Sequence, residues 1–322
     1  MSSTPRSSKT AAAEKHAARK VAAEAAAHAK RRKRVWITIS IVAGLLVVVL
    51  IIIAAVRGNG GENEPDTGSG AGRSSGVAPT VGGDFHTVAA INGAIYVGGH
   101  QAVAASTDGG GTWEDIPTLA NADAMGWAVT PDAILVGGHP GLFRSNDGGE
   151  SFTKLPSDLS DVHALGAAGE IVYAASPKAG LLVSDDGGES WEVRNGEVGQ
   201  SFMGTMLVDP DDPNRIIAPD MAGGLVTSTD GGSTWSSLGG PDGAMATAWN
   251  PRDIDEVIAV GMDGGALSLD GGSTWQDLAL PAGTSAFAYS EDGTTMYAGV
   301  PQGVQAHVYA STDGGATWVP TS

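Results

Sequence analysis

The chain contains no cysteine, so no disulfide holds it together and its stability has to come from packing. Aromatic residues make up 6% of its 322 residues, and glycine, at 48, outnumbers every charged type. Basic residues are scarce after Arg57: residues 58–322 hold seven Lys or Arg against 34 Asp or Glu, a net of −27. A surface of that sign does not bind phosphate backbones, which excludes nucleic acid as a partner and favours cations or basic proteins and peptides. Acidic surface also keeps an exported domain soluble. Long apolar runs are absent too, with one exception.

That exception is Val35 to Val56, 22 residues without a charge, which as a helix would reach about 33 Å at ~1.5 Å per residue and so cross a bilayer. Ten Lys or Arg precede it against Glu14 and Glu24, whereas Arg57 alone follows directly. Basic flanks stay cytoplasmic, so the sequence predicts an N-in, single-pass protein at the cell membrane with its C-terminal domain extracytoplasmic. A cleaved signal peptide would need a shorter apolar core of about 7–15 residues. Four segments follow: a basic cytoplasmic segment over 1–34, a transmembrane helix over 35–56, a Gly/Ser/acidic linker over 57–79, and a folded domain over 80–322.

The folded domain is written in repeats. Six copies of S-x-D-G-G-x-[ST]-[WF] begin at Ser106, Ser145, Ser184, Ser228, Ser268 and Ser311. Their aspartates, Asp108, Asp147, Asp186, Asp230, Asp270 and Asp313, are 39 to 44 residues apart. This is the period of a four-stranded blade that cannot bury its own two faces, so the copies must pack around an axis as one domain. Upstream of each motif come two short apolar runs and a turn, clearest at Asn92-Gly93, a hairpin pair suited to positive φ. The fold class is all-β, a six-bladed propeller preceded by one transmembrane α-helix. In the motif the aspartate accepts hydrogen bonds from its own turn, the glycines supply unusual φ values, and the aromatic residue packs. These six aspartates are structural in this reading.

The copies, for example Ser228-Thr229-Asp230-Gly231-Gly232-Ser233-Thr234-Trp235, resemble the Asp-box (BNR) repeats of sialidases, sortilin-type receptors and photosystem assembly factors. The resemblance runs from about residue 80 to the end. It implies the propeller fold but leaves function open among hydrolase, receptor and assembly factor. A sialidase resemblance implies three converging arginines with a tyrosine nucleophile. Beyond the linker only Arg144, Arg194, Arg215 and Arg252 remain, on strands and turns that do not share one face. The expectation is therefore a non-catalytic, membrane-anchored binding or assembly platform with no catalytic residues. The alternative is a glycoside hydrolase, sialidase-like or another two-carboxylate type, on the outer side of the membrane.

In such a blade the first-to-second and third-to-fourth connections share one face, and the remaining connections form the opposite mouth. That mouth collects His86, His100, His139, His163, Trp127, Lys178, Asp220 and Asp263 as candidate ligand-binding residues. Met203, Met221, Met245 and Met262 join the four histidines there as metal-ligand candidates. Imidazole with thioether suits copper, and carboxylates admit zinc. Met also fills apolar gaps, and the same mouth suits a protein or peptide partner.

The topology carries its own test. Protease added to intact cells should release the C-terminal domain by cutting within residues 58–76. A protected C-terminus beside a cut N-terminus contradicts the assignment.

Overall fold

A computed structural model describes residues 77–321, which form an all-β, six-bladed propeller. The expected basic segment, transmembrane helix and most of the linker lie outside the described residues. Among the described residues no helix is long and apolar enough to cross a membrane.

Each repeat builds one antiparallel sheet whose strands follow chain order from axis to rim. Blade one runs Phe85–Ile91, Ala94–Gly99, Val103–Ser106 and Glu114–Asp115. The inner strands of blades two to six are Gly126–Val129, Ala164–Ala168, Leu207–Val208, Ala246–Asn250 and Ala286–Tyr289. The Asn92-Gly93 hairpin forms as its residues dictate, with φ of 54° and 76°. Alternate residues on each strand face opposite neighbours, so every blade contributes to two cores. Six apolar clusters result, one in each gap between blades. Leu135, Leu165 and Val172 fill the gap between blades two and three, and Ile258, Val260 and Phe287 that between five and six. A side chain of that size contributes ~1.5–3 kcal/mol when fully buried, so the ring rests on these gaps.

The ring closes through the N-terminal end of the domain. Thr80 bridges Gln305, the Val81 amide donates to the Val304 carbonyl, and the Ala306 amide donates to the Pro79 carbonyl. Residues 79–81 thus run beside the third strand of blade six, Gln305–Ser311, and continue the position of its outer strand Val319–Pro320. Val81, Val88 and Val97 then share one core with Ala286, Ala306 and Val308. Glu291 of blade six adds a carboxylate that accepts the Asn92 and Gly93 amides of blade one at 2.7 and 3.1 Å.

All six motif hairpins share one hydrogen-bond scheme. In blade four the buried Ser228 hydroxyl donates to Asp230 Oδ1 (2.9 Å) and accepts the Gly232 amide (2.8 Å). Asp230 Oδ1 accepts the Thr234 amide (2.8 Å), and Oδ2 accepts the Thr234 hydroxyl (2.6 Å). The other five copies repeat these four bonds. Both glycines of the motif take positive φ, 69° and 87° at Gly231 and Gly232, which side chains resist. The aromatic residue turns back to the blade: Trp235 Nε1 donates to the Gly232 carbonyl at 2.9 Å, and its ring meets Phe202 edge-on.

Ser228→Ala deletes the one acceptor available to the buried Gly232 amide. Such an orphaned donor costs about 1–3 kcal/mol, so thermal unfolding should fall by several degrees while the fold persists. An unchanged midpoint contradicts the scheme.

Candidate functional site

The motif carboxylates are occupied by their own turns. The Thr112 amide and hydroxyl, with the Ser106 hydroxyl, hold Asp108 down at about 2. The threonine hydroxyls and amides do the same for Asp230 and Asp313, also to about 2. Ser145 and Ser151 hydroxyls hold Asp147 low, Ser190 holds Asp186 low, and Thr274 holds Asp270 low. A carboxylate that accepts several hydrogen bonds stays ionised and is a poor proton donor or base.

The arginines serve as struts between blades. Arg144 pairs with Glu189 at 3.0 Å, joining blades two and three. Arg194 Nε and Nη2 donate to the Gly231 and Asp230 carbonyls at 2.8 and 2.9 Å, joining three and four. Arg215 lies between Asp209 (3.1 Å) and Asp255 (3.6 Å), joining four and five. They do not converge on a common point.

At the His/Met mouth the structure brings together part of the expected set. His86 Nε2 lies 3.3 Å from His100 Nδ1. His100 also sits 3.2 Å from both Asp84 and Asp123. Burial, and then the like charge of His100, push His86 below the ordinary histidine range; His163 adds to this from blade three. His163 itself pairs with Asp161 at 3.0 Å. His139, Lys178 and Asp263 are exposed, and Asp220 is engaged by the Ser201 hydroxyl and the Ala222 amide of its own turn. Met221 and Met262 are 43% and 60% exposed, whereas Met203 and Met245 are half-buried. Among the described residues no three His, Asp or Glu side chains form a group able to hold a metal ion.

Trp127 requires a correction. It lies on the inner strand of blade two, 3% exposed, with its ring 5.0 Å from Tyr96 and 5.9 Å from Phe152 in the core between blades one and two. A large apolar ring gains more from that gap than from the mouth.

The axis is blocked on the His/Met side. Gly204–Thr205, just before the inner strand of blade four, pairs in parallel with Ala164–Leu165 of blade three. A Cβ on Gly126 would stand 2.6 Å from the Gly204 carbonyl and 2.7 Å from the Leu165 amide. One on Gly204 would stand 2.8 Å from the Met245 carbonyl. Backbones of blades two to five therefore meet at Gly204. Beyond this seal a cavity of about 270 Å³ follows the axis, lined by the C-terminal parts of the inner strands, including Ile91, Val129, Val208, Trp249 and Tyr289. It thus faces the motif hairpins, the side opposite to the sequence expectation. A second cavity of about 350 Å³ lies beside it, between blades five and six, around Asn250, Arg252, Glu256 and Thr294. No local signal marked either one, since each is assembled from separate blades.

No family model matches the chain, and no curated protein sequence matches it. Solved structures do share its fold. The extracellular domain of a B. thetaiotaomicron hybrid two component system gives a TM-score of 0.52 at 10% identity, covering 76% of this chain and 34% of that one. The GH74 xyloglucanase from Xanthomonas campestris gives 0.49 at 19% identity, over 76% of this chain and 46% of the enzyme. YCF48 bound to D1 peptide gives 0.47 at 19%, over 73% and 95%. The chain thus spans less than half the length of the xyloglucanase. At these identities the likeness is one of fold.

The axial seal is testable by one methyl group. Gly126→Ala forces the Gly204 carbonyl to move, and overpacking of this kind costs about 1–3 kcal/mol, so the thermal midpoint should drop. A neutral effect shows that the axis is open at Gly126.

Proposed function

We propose that the chain is a membrane-anchored, extracytoplasmic, non-catalytic platform that binds a protein or peptide partner. The observation that carries this reading is where the chemically capable side chains are spent. Six carboxylates are saturated by their own hairpins, and three of the four arginines of the described domain bind neighbouring blades. What stays open is a concave apolar axis within an acidic surface, a recognition surface more than a reaction centre. The ten-to-two basic excess before Val35 supports the anchor, and the Asp-box resemblance accommodates receptors and assembly factors. Fold alone does not choose between them and hydrolases; the disposition of the residues favours the platform.

The full-length chain should give no turnover on fluorogenic sialosides or β-glycosides. Arg144→Ala alone, which breaks only the pair with Glu189, should leave partner binding unaltered, and the double variant Arg144→Ala/Arg252→Ala should turn over glycosides no more than the wild type. Glycoside cleavage that disappears in Glu256→Gln or in the arginine pair overturns the non-catalytic reading.

A further inference from the structure

Two cavities adjoin on the face of the motif hairpins, and Tyr289 belongs to both. The axial one is apolar and, at about 270 Å³, lies below the ~300–1,000 Å³ of sites that enclose a whole small molecule. It fits a side chain.

The neighbouring cavity is polar and centred on Glu256. The Tyr289 hydroxyl donates to Glu256 Oε1 at 2.5 Å, and Asn250 Nδ2 donates to Oε2 at 3.2 Å. Burial, then the hydrogen bond to Glu256, push the Tyr289 phenol far up, so it remains a neutral donor that fixes the carboxylate's orientation. Arg252 stands nearby but is offset by Asp292, whose carboxyl is held at about 2 by Thr294 and Ser290, with a smaller contribution from Arg252.

Charge around this face is predominantly acidic, Arg252 excepted. The first hairpins of blades two to five carry the exposed Asp132, Glu170, Asp211 and Asp253, while Arg215 is already held between Asp209 and Asp255. An apolar side chain leaving water for the axis would therefore bring flanking cations into a favourable field. An acidic segment would meet the wrong charge.

We propose that this face binds a basic peptide segment of a partner protein, one apolar side chain seated in the axial cavity and an adjacent Lys or Arg on Glu256. The proposal rests on the platform reading above and names its partner chemistry and its face.

A phage-displayed random dodecapeptide library selected on the immobilised full-length chain tests it, with the enriched peptides then measured by fluorescence anisotropy. Enriched sequences should place Leu, Ile, Met or Phe within three residues of a Lys or Arg. Their Kd should rise with salt. It should also rise at least tenfold in Ala90→Phe, which fills the axis from a half-exposed lining position, and in Glu256→Gln, which removes the charge but keeps an acceptor for Tyr289. Peptides that bind with unchanged affinity to both variants, or that lack basic residues, overturn this site while leaving the platform reading intact. Peptides matching a segment of this chain assign the face to a second copy and overturn the partner. An absence of any enrichment on the wild-type chain overturns the platform reading as well.

Discussion

Each blade is fastened at its rim by a carboxylate whose hydrogen bonds come from its own hairpin. Serine lies beneath it, donating to the aspartate and accepting a buried glycine amide, so three residues of one turn are tied to one another by hydrogen bonds. A cysteine-free chain with few aromatics has little else with which to set a tight third-to-fourth connection. The fastened hairpins then offer carbonyls to neighbours: Arg194 reaches the backbone of the next motif, and Trp318 Nε1 reaches the Ala279 carbonyl of the preceding blade at 2.9 Å. Local turn chemistry thus becomes ring geometry.

The same economy decides where binding can occur. Carboxylates held low and arginines used as struts are removed from any reaction, and the glycine contact at Gly126 and Gly204 removes one end of the axis. What remains accessible is the opposite end, where inner strands from all six blades expose a narrow apolar cavity beside the Tyr289–Glu256 pair. Function on this fold follows from which side chains the framework leaves unspent.

The sequence disclosed whatever depends on contacts within one repeat. Motif spacing determined the blade count, Asn92-Gly93 marked its hairpin, and the scattered arginines did not converge. Contacts between distant segments were not legible. Nothing near residue 80 signals that it pairs with Gln305, and nothing in Gly204-Thr205 signals a parallel bridge to blade three. Trp127 was misplaced for the same reason, because its strand position was readable and the gap that receives its ring was not. The histidine mouth was half legible: His86 and His100 do meet, whereas the His139 side chain is exposed. The axial cavity was missed because each blade contributes only a few small or apolar residues to it.

The central claim is that the six aspartates are consumed in folding and unavailable for chemistry. NMR titration of the aspartate side-chain carboxyl carbons measures this directly. Asp108, Asp230 and Asp313 should titrate with midpoints near about 2, and the stability they confer should be complete above the ordinary carboxylate range and lost as pH falls through those midpoints. Midpoints at the ordinary value of about 3.9, or displaced upward towards neutrality, would contradict the account and return these carboxylates to the candidates for function.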